Sequence, residues 1–135
     1  MNNKDLEKEI KRLVHSTRYE KGWVCAVDIL MQLNYLTKKD YDEWRFGRVE
    51  YLEKVCKTNL KKLSLINKLI RKYATELNLK SSWTGYNKYG KGIKRRLRFS
   101  KSGDKNIEDR YATHFIDTDR INELKSNKSQ QATKL

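Results

Sequence analysis

Proline is absent from the 135 residues. Nothing therefore breaks a helix by a missing donor or a fixed ring, which fits a mostly helical chain with few rigid turns. Cysteine occurs twice, at Cys25 and Cys56. The two are far apart and no Cys-x-x-Cys occurs, so a zinc finger or ribbon fails on ligand count. Both sit in apolar patterns, which predicts buried, reduced thiols and a reducing, cytoplasmic setting. No apolar run approaches the length needed to span a bilayer, and no membrane partner is expected. Met1 to Arg12 lacks the apolar stretch of a secretory signal, and Asp5, Glu7 and Glu9 make it too acidic for a transit peptide. Gly-x-x-x-x-Gly-Lys-Ser/Thr and Gly-x-Gly-x-x-Gly are both missing. Gly85, Gly90 and Gly92 are spaced as hairpin glycines and not as a phosphate-binding loop. Neither a cofactor nor a metal is expected.

Negative charge is scarce in one place. The chain carries 31 Lys and Arg against 17 Asp and Glu, a formal charge of +14. Residues 1–46 hold nine basic and eight acidic residues, and residues 104–135 hold six of each. Residues 47–103 hold sixteen basic residues and three acidic ones (Glu50, Glu53 and Glu76), a surplus of thirteen. Tyr51, Tyr73, Trp83, Tyr86, Tyr89 and Phe99 are interleaved with these cations. A segment of one sign repels itself unless a partner of opposite sign relieves it, and nucleic acid is the commonest such partner. The same scarcity of carboxylates argues against a two-metal nuclease.

The periodicity predicts one domain over residues 1–124 followed by a disordered polar tail over 125–135. Asn3 or Asp5 caps a first helix reaching about Ser16, with Leu6, Ile10, Leu13 and Val14 on one stripe. His15 near its end is read as a favourable helix-terminal charge. After Gly22 a strong apolar run from Trp23 to Leu36 predicts a buried helix from about Ala26, with Trp23–Ala26 open to a strand assignment. Thr37 is an N-cap for a helix carrying Tyr41 and Trp44 that stops at Gly47. A short helix is expected over Val49 to Lys57. Thr58 or Asn59 then caps the longest helix, Leu60 to Leu77, whose stripe is Leu63, Ile66, Ile70, Tyr73, Ala74 and Leu77. Beyond Leu79 the period becomes two. Ser82–Asn87 and Ile93–Phe99 flank Lys88–Gly92 and predict a β-hairpin with a glycine-bearing tip. Lys94, Arg96 and Arg98 share one strand face, Ile93, Arg95, Leu97 and Phe99 the other. Trp83, Tyr86 and Tyr89 lie near the cations and are candidates to stack on unpaired bases; Trp83 and Tyr86 equally fit packing of the hairpin onto the long helix, which is the favoured reading for Trp83, and Tyr89 at the loop tip is the better stacking candidate. Residues 106–117 fit a helix from Ile107 or a strand from about Tyr111, and the pattern leaves both open.

The expected class is mostly α with a C-terminal β-hairpin, an α+β fold. Short helices, a longer basic helix and a Gly/Lys-tipped hairpin, in that order, resemble the architecture of a winged helix-turn-helix, without a diagnostic sequence motif. That resemblance implies a recognition helix at Thr58–Leu79 and a wing with its tip at Lys88–Gly92. The contact residues would be Lys61, Lys68, Arg71 and Lys72 on the helix, and Lys88, Tyr89, Lys91, Lys94, Arg96 and Arg98 on the hairpin. The expected function is non-enzymatic binding of nucleic acid, DNA ahead of RNA. Two alternatives belong to other classes. One is a small metal-independent, toxin-like ribonuclease of the basic bacterial kind, using His114, Arg110, Tyr111 and Glu108. The other is an adaptor whose basic face binds an acidic protein partner in a phage, defence or ribosome-associated assembly.

Overall fold

The computed structural model describes residues 2–133, and the side chains of residues 2–128. The chain is mostly helical, with one three-stranded antiparallel sheet. Helix α1 (Asn3–Lys21) leads into strand β1 (Trp23–Cys25), then α2 (Ala26–Gln32) and α3 (Lys38–Arg45). A 3₁₀ turn (Leu52–Val55) precedes the long helix α4 (Leu60–Glu76) and strand β2 (Lys80–Trp83). Helix α5 (Lys105–Ala112), strand β3 (Thr113–Ile116) and helix α6 (Thr118–Thr133) complete the order.

Helix α1 is capped by Asn2, one residue before the expected candidates, whose side chain accepts from the Asp5 amide at 2.8 Å. It runs past Ser16 because nothing breaks it before Gly22, which ends it in the left-handed region at φ 83°. There the Gly22 amide reaches back to the Arg18 carbonyl. A side chain at Gly22 would also strike Ile121 of α6, 2.5 Å from the position of its first carbon. Thr37 and Asn59 cap α3 and α4 as their positions predict, each accepting from the amide three residues on.

The sheet order is β1-β3-β2, so the last strand in sequence is the middle one in space. Val24 faces Phe115 on one side of β3, and Ser81 faces Phe115 on the other. This changes the reading of the ribbon. Ser82 and Trp83 do not pair with residues 93–99; they pair with His114 and Thr113. The hairpin shrinks to Tyr86–Lys88 against Arg95–Leu97, held by one bridge between Asn87 and Arg96 and by two flanking backbone hydrogen bonds. Leu97 and Phe99 are buried beneath it while Lys94, Arg96 and Arg98 are exposed, but Ile93 and Arg95, expected on the inward face, are exposed as well, so the alternation holds only from Arg96 to Phe99. Residues 106–117 take both conformations in turn. Asp104 caps α5 through the Asn106 and Ile107 amides, and the helix gives way to β3 at Thr113. The Val49–Lys57 helix is reduced to the 3₁₀ turn.

Helix α6 continues through 125–133, where the sequence offers helix-forming residues and no breaker. Lys134 and Leu135 lie outside the described residues. The start of α6 is tied to α1 by Arg18 on Asp117 at 2.9 Å and by the Arg120 guanidinium on the Tyr19 carbonyl at 2.7 Å.

One core joins these elements. Leu6, Ile10, Leu13 and Val14 of α1 meet Leu63, Ile66, Ile70 and Ala74 of α4 and Val27, Ile29 and Leu30 of α2. Its second half is aromatic. Trp44 is fully buried, with Tyr86 and Phe99 against it at 5.6 and 5.2 Å between ring centres, and Phe99 stacks on Tyr111. Cys25 and Cys56 are free thiols inside this core, and burial pushes the Cys56 thiol up to about 12.

Candidate nucleic-acid interface

The cations of residues 47–103 are largely unneutralised. Of the sixteen, only Arg48 and Lys72 lie within 4.0 Å of a carboxylate among the described residues, and both partners, Glu43 and Glu7, come from outside the block. The block's own acids do not discharge it. Glu53 is occupied by the Tyr111 hydroxyl at 2.7 Å and the Lys101 amide at 2.9 Å. Glu50 and Glu76 make no ion pair.

Two cationic surfaces result. The first is the outward face of α4. Lys61, Lys68, Arg71 and Lys72 are all exposed there, opposite the buried stripe. Lys72 is engaged by Glu7 at 2.9 Å, which raises the lysine pKa and lowers that of the carboxylate. Lys61, Lys68 and Arg71 are free of ion pairs.

The second surface is the ribbon. Its tip is pinned to the end of α3, where the Tyr89 amide donates to the Arg45 carbonyl at 2.6 Å and Arg95 donates to the Gly47 carbonyl at 3.3 Å. Its far strand is pinned to the 3₁₀ turn by the Leu52 and Glu53 amides on the Arg98 and Phe99 carbonyls. The Trp44 indole adds a bond to the Arg98 carbonyl at 2.8 Å. Glu108 fixes the end of the ribbon, accepting from the amides of Phe99 and Ser100 and from the Ser100 hydroxyl. This frame holds Arg48, Arg95, Arg96 and Arg98 around a groove of about 410 Å³ that also contains Glu50. Arg48 and Arg95 are site residues the sequence reading passed over, because Arg48 lies outside the hairpin and Arg95 falls on its supposedly inward face. At that end of the ribbon Arg95 reaches only the Gly47 carbonyl, and Ile93 is 94 % exposed.

The remaining hairpin candidates are placed as follows. Lys91 and Lys94 are exposed near the tip. Lys88 is half-buried, its stem lying over Gly47. Tyr89 is partly exposed, but the Arg45 guanidinium covers one face at 3.9 Å and Phe46 meets it edge-on. Trp83 reverses its expected role. It is 56 % exposed, because β2 is an edge strand and its final residue projects outward, away from the core.

Lys101 and Ser102, just past the ribbon, line a groove with Leu60 and Ser64 of α4, while the ribbon itself is bonded to α3 and the 3₁₀ turn.

The alternative catalytic set is dispersed into structural tasks. Glu108 is consumed by the Phe99 and Ser100 donors. Tyr111 is 1 % exposed and bonded to Glu53, and burial drives its phenol pKa far above the usual range. His114 stacks on Trp23 and is bonded to the Tyr86 hydroxyl at 3.0 Å, with burial lowering its pKa. Arg110 is exposed beside Asn67 and Arg71, in a separate cavity from the arginine groove. Among the described residues no three His, Cys, Asp or Glu side chains gather in a metal-binding group, and no helix is long and apolar enough to cross a membrane.

No protein-family model, curated protein or solved structure matches this chain.

Proposed function

We propose that this α+β domain is a winged-helix-like module that binds nucleic acid, DNA ahead of RNA, without catalysing a reaction on it. The observation that carries the reading is the set of fourteen cations in residues 47–103 that no carboxylate pairs with among the described residues, three of which, Arg95, Arg96 and Arg98, converge on one groove with Arg48. Holding so many like charges on two framed surfaces costs electrostatic energy that a polyphosphate would recover. The topology supports the architectural half of the proposal. In its favour, the basic helix α4 enters β2 directly within a β1-β3-β2 sheet; α1, β1, α2 and α3 precede it, and α5 stands between β2 and β3. In this reading α4 is the recognition helix, and the wing is the excursion between β2 and β3, enlarged by the ribbon and α5. An acidic protein is the competing partner, and the salt dependence below separates them.

The test is a salt-titrated binding measurement on the full chain and on a Lys94→Glu/Arg96→Glu double variant. Both side chains are exposed, so the variant should fold as the parent does. Affinity for DNA is expected to fall steeply with salt, and the variant should bind at least about tenfold more weakly with a salt slope smaller by about two. Unchanged affinity in the variant would remove the ribbon from the interface.

A further inference from the structure

The ribbon holds one feature that charge alone does not require. Trp83 ends the edge strand β2 with more than half its surface in solvent. Its ring is not loose. The indole N–H donates to Asp109 of α5 at 3.1 Å, and the Arg96 guanidinium lies over the ring, 4.8 Å from its centre. Arg96 is itself fixed, with its Nε donating to Asn87 at 2.9 Å. Gly85 makes room for it, since a side chain there would collide with the guanidinium. The two terminal nitrogens of Arg96 make no hydrogen bond among the described residues, and no carboxylate pairs with the group. An immobilised indole thus carries an immobilised cation on one side and faces solvent on the other.

The other aromatic side chains do not offer this. Trp44 is buried. Trp23 is stacked on His114, with the Lys21 ammonium 4.9 Å from its ring centre. Tyr89 is covered by Arg45 and edged by Phe46; Tyr19 is exposed and carries Arg120 over one face at 4.0 Å, but that guanidinium is already paired with Glu123. An open aromatic face accepts a flat partner, and a nucleobase within a duplex has both faces occupied by its neighbours. Away from the duplex ends, only an unpaired base can lie on Trp83.

Resting on the nucleic-acid reading above, we infer that Trp83 and Arg96 form a seat for an unpaired nucleotide: the base stacks on the free face of the indole, and the adjoining phosphate takes the terminal nitrogens of Arg96. The preferred ligand is then a nucleic acid with a single-stranded segment, with Arg98, Arg95 and Arg48 following its backbone along the groove.

The experiment compares a labelled blunt DNA duplex with the same duplex carrying a short single-stranded thymidine extension, titrated with the full chain, with Trp83→Ala and with Trp83→Phe. The extension is expected to tighten binding by the parent about tenfold. Trp83→Ala should lose that gain and leave blunt-duplex affinity unchanged, while Trp83→Phe should keep most of it. Tryptophan fluorescence supplies a second readout, should the alanine variant fold poorly. Adding oligothymidylate should quench the parent and leave the phenylalanine variant unquenched. Equal affinity for the two duplexes, an alanine variant that retains the gain or weakens both duplexes alike, or absence of a Trp83-dependent quench would overturn the seat and leave the groove standing. Failure of the parent to bind either duplex or oligothymidylate would overturn both readings.

Discussion

Tyr86 holds the ribbon to the body of the molecule. It is 7 % exposed although it lies outside every helix and strand. Trp44, Phe99 and the Arg45 guanidinium surround its ring, and its hydroxyl meets His114 at 3.0 Å and the Cys25 sulfur at 3.7 Å. The bond to His114 links ribbon to sheet, and it has a pH signature. Burial lowers the His114 pKa below its ordinary 6.5, so the folded state favours the neutral ring. Between the folded and the unfolded pKa the unfolded chain binds more protons, and stability therefore rises with pH across that window. The contribution is complete above about pH 6.5 and is lost as pH falls below it. Thermal melts from about pH 7.5 down to 5.5 should show a declining midpoint that a His114→Gln variant flattens. The lowered carboxylates, Glu7, Asp109 and Asp117, act only further down in pH and do not obscure it.

Among the elements, α4 is the one most fully specified by its own residues. Asn59 stops the chain from extending, the stripe from Leu63 to Ala74 faces inward, and the cations take what is left. Replacing Ile70, which is 1 % exposed, with Asp should abolish cooperative unfolding, because a lone carboxylate would enter the core. Asn59→Ala should lower stability by about 1 kcal/mol in a denaturant titration, through the lost cap alone. The same local signals made the Thr37 cap legible, while they placed the end of α1 near Ser16 and left Trp23–Ala26 open between helix and strand. They failed where the decisive partner was distant. Lys80–Trp83 and Arg95–Phe99 both alternate, but nothing in either stretch says that the first belongs to β3, reached only after α5. Ile107–Ala112 and Thr113–Ile116 gave two answers because both were true of adjacent halves. For the site, the arginines were legible as charge. The exposure of Trp83 was not, since an inward and an outward tryptophan on a strand look alike until it is known which strand is the edge.

At the scale of the whole molecule the surplus of positive charge is itself a stability term. Fourteen of the central cations have no carboxylate partner among the described residues, so they repel one another through solvent at low ionic strength. Added sodium chloride should raise the melting midpoint of the free protein while weakening its hold on DNA. A midpoint indifferent to salt between about 20 and 300 mM would mean the cations are spaced beyond mutual influence. The order β1-β3-β2 has a further outcome, which concerns the birth of the chain at the ribosome. Cys25 emerges long before His114, the residue it must sit beside, and both flanking strands wait for a centrepiece that is synthesised after them. Until β3 has emerged the nascent polypeptide presents α1, α2 and α4 without their sheet, so the sheet cannot close hairpin by hairpin as synthesis proceeds.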